Sequence, residues 1–176
     1  MTPSQRYSLS FPALGTFLPS RLLYANMDLD LAIIEVDLES AEGADLSTLP
    51  SLTLAAQSPA RNQSVRVMSY PGGGALTGES CAVTSEATSS LPDPATDFPS
   101  VLVVPSFTAE CFTVEGGSSG GPVFDDSGQL LGLVWTRAPF GDTLVTAVSG
   151  WRAYLADPAR ETVDTNLERL LSAAMD

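Results

Sequence analysis

The 176-residue chain contains no histidine and no lysine; all eight basic residues are arginine, set against 21 Asp and Glu. The missing imidazole removes the usual general base near neutral pH, so any mechanism of that kind needs a base from outside this sequence. It also excludes histidine-containing metal sites. The two cysteines alone make a poor zinc site, so no metal or cofactor is expected. The formal net charge of −13 repels phosphate backbones and anionic lipid, which argues against nucleic acid and membrane as partners. Apolar runs are short: none reaches the roughly 18 residues of a membrane span. Met1 to Tyr7 lack the basic-then-apolar order of a signal peptide, so none is expected in this chain.

What is present is a composition for burial, 44% hydrophobic and 16% charged, enough for one sizeable core or two small lobes. Strands are expected over Tyr7–Phe11, Ser20–Tyr24, Leu31–Val36, Ser64–Tyr70, Leu76–Val83, Ser100–Val104, Leu130–Val134 and Leu144–Val148, from alternation or β-branched runs. Pro71-Gly-Gly-Gly74 is a strong breaker, and Ser85 to Pro99 reads as a long surface loop. Helix is expected only at the end, from Gly150 and again over Asp164–Ala174, where Leu167, Leu170 and Leu171 have helical spacing. Many short strands make this an all-β chain, a barrel or a sandwich. Cys81 and Cys111 read as one disulfide, the alternative being two buried thiols. Glu35, Asp37, Glu39 and Glu42 read as a solvated edge, without the tight ligand spacing of a calcium loop.

The stretch Gly117-Ser118-Ser119-Gly120-Gly121-Pro122 places serine among glycines just before a hairpin, Val123-Phe124, Asp125 to Gly128, Leu130 to Val134. A serine nucleophile needs an exposed hydroxyl beside backbone N–H groups, and glycines permit that close approach. The same residues satisfy the Gly-x-Ser-x-Gly pattern of α/β-hydrolases. That pattern requires a helix after the serine and a later histidine, and neither is found.

Three segments, in order, resemble a trypsin-like serine protease of the compact Deg-type bacterial variety. They are Asp30-Leu-Ala-Ile-Ile-Glu-Val36; Leu49-Pro-Ser-Leu with Val65-Arg-Val-Met-Ser-Tyr-Pro71-Gly72; and Gly117 to Pro122 followed by Gly128-Gln-Leu-Leu-Gly132. The resemblance implies a chymotrypsin-like double β-barrel with an incomplete first barrel and a C-terminal helix. Its parts would be a remnant of the first barrel over residues 1–56, a second barrel over 57–149 and a helical tail over 150–176. It implies that Ser119 is the nucleophile and Asp30 the acid that orients the base, with Asp28 the weaker candidate. The N–H groups of Gly117 and Ser119 would form the oxyanion hole. Leu133, Val134, Trp135 and Thr136 would line a cleft for an extended peptide or protein substrate. Thr113 would lie near the base of the specificity pocket, and Arg137 reads either as favouring an acidic side chain or as a surface arginine. The family also implies a secreted or periplasmic protein.

The family's histidine precedes its aspartate, and this sequence starts at about the point where that histidine has already passed. Three sources of the missing part stay open: an upstream segment, a second chain, or a degenerate remnant that binds peptide or a partner without catalysis. Alone, the chain is expected to have negligible peptidase activity. The inward apolar face of Leu9, Phe11, Leu22 and Ile33 is expected to lack part of its cover, with open strand edges.

Overall fold

Burial alternates along Ser64–Ser69, as expected of a strand with one buried face, and a computed structural model describes residues 6–11, 16–26, 31–38, 51–88, 106–137 and 141–155. The chain divides into two compact units, Met1–Ser51 and Leu52–Asp176.

In the first unit, β1 (Arg6–Phe11), β2 (Thr16–Asn26) and β3 (Leu31–Val36) form an antiparallel three-stranded sheet in the order β1-β2-β3. Leu9 faces Leu18 across β1 and β2, and a bulge between Leu22 and Tyr24 shifts the register against β3. Leu18, Tyr24 and Leu31 are buried. Leu9, Leu22 and Ile33 are intermediate between buried and exposed, the side chain of Phe11 lies outside the described residues, and Phe17 stays largely exposed. Arg21 pairs with Glu35 across β2 and β3, which lowers the Glu35 carboxyl from its ordinary value chiefly through that hydrogen bond.

The second unit is a closed antiparallel barrel in the order β4-β5-β6-β9-β8-β7. Its strands are β4 (Ser64–Ser69), β5 (Thr77–Thr88), β6 (Ser106–Glu110), β7 (Pro122–Phe124), β8 (Leu130–Arg137) and β9 (Asp142–Ala147). Closure removes the free edges that an open sheet presents. Val65, Val67, Val83, Phe107, Ala109, Val123 and Val145 fill the interior from alternate positions, and each is at most 1% exposed. Closing the ring also explains the site: β6 and β7 are not neighbours, so the Cys111–Gly121 connection must cross one end of the barrel. Among the described residues a single α-helix, α1 (Val148–Leu155), follows β9 directly and buries Val148 and Trp151. No helix among the described residues is long and apolar enough to cross a membrane.

Several sequence expectations need correction. β5 runs on to Thr88, so the expected surface loop does not begin at Ser85. Hydroxyls replace apolar contacts there: Thr84 and Ser85 both reach the Thr108 hydroxyl, at 2.8 and 2.6 Å. β6 was not anticipated, because Ser106-Phe-Thr-Ala-Glu110 is short and half polar; Phe107 and Ala109 are its buried face. Val148 opens the helix instead of closing the last strand. The expected strand over Ser100–Val104 and the helix over Asp164–Ala174 lie outside the described residues.

Candidate active site

The crossing connection is held at both ends. Cys111 is bonded to Cys81 on β5, with Cα atoms 5.0 Å apart. Glu79 lies two residues before Cys81 on the same strand, and strand periodicity puts both on one face. Its carboxylate accepts from the Phe112 amide (2.6 Å), the Thr113 amide (2.9 Å) and the Thr113 hydroxyl (2.6 Å). Burial pushes the Glu79 carboxyl up, but those three donors and the charge of Arg137 outweigh it and hold it below its ordinary value. Val114, next along, is buried.

The loop then turns on itself. The Ser118 amide donates to the Glu115 carbonyl at 2.9 Å, and the Glu115 amide donates to the Ser118 hydroxyl at 3.2 Å. Ser118 is therefore a turn residue, 1% exposed. Its neighbour Ser119 is exposed, and its hydroxyl donates to the Trp135 carbonyl at 3.0 Å. Two adjacent serines thus have opposite roles, which the sequence alone did not separate by geometry.

Gly117 can only be glycine. Its φ is +93°, and a Cβ there would lie 2.7 Å from the Tyr70 carbonyl oxygen and 2.9 Å from the Gly73 nitrogen. That conformation matters for the amides around it. Among the described residues, the Gly117 and Ser119 N–H groups have no acceptor, whereas those of Ser118, Gly120 and Gly121 do. Two free amides beside an exposed hydroxyl can bind a developing oxyanion.

β8 supplies the wall. The Gly120 amide donates to Val134 O at 2.8 Å, and the Val134 amide donates to Gly121 O at 2.9 Å. The Val134 backbone is thereby spent on the loop. β7 ends opposite Leu133, so the edge of β8 left open begins at Trp135 and runs to Arg137. A cavity of about 270 Å3 touches Ser119, Val114, Gly116, Val134, Thr136 and Arg137. The structure therefore brings together Ser119, Gly117, Val134, Trp135 and Thr136. Thr113 is near in sequence but is bound to Glu79 and is not part of that cavity wall. Asp30 and Asp28 lie outside the described residues. Sequence reasoning missed Glu79; its spacing of two from Cys81 on a strand was the available signal.

Among the described residues, one group of three metal-type donors occurs, Glu79, Cys81 and Cys111. Both sulfurs are committed to the disulfide, so they offer no thiolate.

A model of the trypsin-like peptidase domain matches residues 6–133. The chain belongs to the trypsin-like peptidase family. Within this family, serine protease Rv3671c of Mycobacterium tuberculosis H37Rv is 36% identical over 89 residues, which is 51% of this chain and 22% of that protein. The chain thus spans about a fifth of the length of the curated relatives it matches. The crystal structure of the Rv3671c protease in its active form superposes with a TM-score of 0.61 at 26% identity, covering 84% of this chain and 61% of that one. The serine endoprotease from Yersinia pestis shares the fold, with a TM-score of 0.63 at 12% identity over 98% of this chain and 51% of that one. The closed six-stranded barrel with its short following helix matches the chymotrypsin-like fold of these proteases.

Proposed function

We propose that this chain carries the nucleophile of a serine endopeptidase, with Ser119 attacking the scissile carbonyl of a peptide or protein substrate. The observation behind this reading is an exposed Ser119 hydroxyl beside two amides, those of Gly117 and Ser119, with no acceptor among the described residues. Ser119 Oγ bonds to the carbonyl carbon and its proton passes to a general base, while the two amides hold the oxyanion. Collapse breaks the C–N bond, and the base returns the proton to the leaving amine. Water then hydrolyses the acyl-enzyme with the same base. The substrate lies extended along Trp135–Arg137, adding a strand to the open edge of β8.

The base is the part this chain does not hold, since it has no histidine. In this reading an imidazole comes from a segment or second chain outside these residues that also completes the first barrel, and Asp30 orients it. These 176 residues alone hydrolyse peptides negligibly, because losing one triad member costs several orders of magnitude. The buried Cys81–Cys111 bridge supports an oxidising compartment for the protein, outside the cytosol.

The test is rescue by free imidazole of hydrolysis of an activated ester, compared with Ser119→Ala. Imidazole-dependent turnover above the Ser119→Ala background supports the reading; identical rates at every imidazole concentration contradict it. A second reading, a peptide-binding module without catalysis, draws on the missing histidine and on the Ser119 hydroxyl being donated to Trp135 O. It predicts peptide binding that Ser119→Ala leaves unchanged and no rescue.

A further inference from the structure

The amides of Gly117 and Ser119 belong to a connection that runs from β6 to β7 without joining a sheet. Their direction depends on what holds that connection along its length. Its second half is held by the two Glu115–Ser118 bonds and by the Gly72 amide, which donates to Gly116 O at 2.6 Å. In its first half Cys111 is tied to Cys81, and Val114 is buried. Phe112 and Thr113 lie between those anchors and are exposed, Phe112 to 77%. Packing does not hold these two residues, and water could satisfy their amides. Both amides turn instead to the Glu79 carboxylate. Its Oε1 accepts from Phe112, and its Oε2 accepts from the Thr113 amide and hydroxyl.

The position of Glu79 is itself unusual. On β5 it stands opposite Val67, as Cys81 stands opposite Val65, so it shares the inward face with these residues. Val65, Val67, Cys81 and Val83 on that face are all buried. A carboxylate there costs free energy unless it is bonded, and its bonds go to the connection that crosses this end of the barrel.

The disulfide fixes one point and leaves the chain beyond it free to turn about single bonds. A carboxylate with both oxygens engaged fixes direction as well as distance. Glu79 thus sets two successive peptide planes, and Val114 anchors the next residue. The Gly72 bond holds one carbonyl of the Glu115–Ser118 turn; the angle at which the chain enters that turn is left to Glu79. The charge of Arg137 also draws on this carboxylate, and Arg137 lines the cavity that touches Ser119. Glu79 therefore ties the connection to β5 on one side and faces β8 on the other.

We propose that Glu79 is a positioning residue of the Ser119 site: by fixing the Phe112 and Thr113 peptides it aims the Gly117 and Ser119 amides at the oxyanion. The inference rests on the nucleophile reading above and adds a residue to it. Glu79 touches neither substrate nor reacting atoms and acts through the backbone.

The test is the rate of fluorophosphonate labelling at Ser119 with saturating imidazole near neutral pH, on the 176-residue chain and two Glu79 variants. Glu79→Ala is expected to label about tenfold slower, the scale of a misaimed oxyanion donor, and Glu79→Gln, with one acceptor oxygen left, to recover part of that rate. Asp125→Ala is the control, since it removes three comparable bonds from the β7–β8 turn at a carboxylate outside the cavities that touch Ser119. It should lose stability in urea and keep the wild-type labelling rate. The Gly117 and Ser119 amide shifts should move in Glu79→Ala and stay in place in Asp125→Ala. If Glu79→Ala does not fold, Glu79→Gln carries the same comparison. Wild-type rates in folded Glu79 variants, or equal slowing in Asp125→Ala, overturn this inference and leave the nucleophile reading standing. No imidazole-dependent labelling of the wild type overturns that reading and this inference with it.

Discussion

Glu79 on β5 binds Thr113 twice, accepting from its amide at 2.9 Å and from its hydroxyl at 2.6 Å. With the Phe112 amide as a third donor, this carboxylate fixes the start of the segment that leads to Ser119. Glu79→Ala strands two amides at a partly covered site. The expected loss is about 1–2 kcal/mol of unfolding free energy, measured by urea denaturation. Glu79→Gln, which keeps one acceptor oxygen, should lose less.

The same contacts predict a pH dependence. The Glu79 carboxyl is held below its ordinary value of 4.5, and the Asp125 carboxyl below its ordinary value of 3.8 through bonds from Ser127, Gln129 and Gly128 that outweigh its burial. Between each folded value and the ordinary one, the unfolded chain binds more protons than the folded chain, so stability rises with pH there. The contribution is therefore complete above the ordinary values and is lost as pH falls through the folded ones. Unfolding free energy measured from pH 6 down to pH 2 should fall at the acid end, and less steeply in Glu79→Gln than in the wild type.

Removing the Cys81–Cys111 bridge should cost about 3–4 kcal/mol in the chain-entropy model, for a sequence separation of 30. A variant with both cysteines replaced by alanine, compared by urea denaturation, measures it. A cost near zero would mean that the barrel and the Glu79 contacts alone define the connection.

Gly117→Ala forces a side chain into a φ of +93° and to within 2.7 Å of the Tyr70 carbonyl. The expected destabilisation is about 1–3 kcal/mol. Amide shifts should move at Tyr70, Gly72 and Gly73 before they move in the barrel interior.

Much of this was legible in the sequence. Alternation in Ser64–Val67 marked its strand, because one-sided burial imposes period two, and the β-branched content of Leu31–Val36 marked the other. The serine loop was legible because its glycines are forced by geometry, as Gly117 shows. Where polar side chains bond each other across a strand pair, as Thr84, Ser85 and Thr108 do, the composition of a strand looks like that of a loop. Glu79 was hidden for a related reason: its partners lie 33 and 34 residues away, at Phe112 and Thr113, and only the closed barrel brings them together. The choice between Ser118 and Ser119 came from family resemblance, and the burial of Ser118 in its own turn supplies a physical reason for it.

The central claim is that Ser119 is a nucleophile lacking only its base. Its most direct test is mass-spectrometric mapping of a fluorophosphonate adduct on the 176-residue chain, with and without added imidazole. The account predicts slow labelling at Ser119 alone, acceleration by imidazole, and no adduct in Ser119→Ala. Labelling of Ser118 in place of Ser119, a rate that imidazole leaves unchanged, or labelling at an ordinary protease rate without imidazole would contradict it.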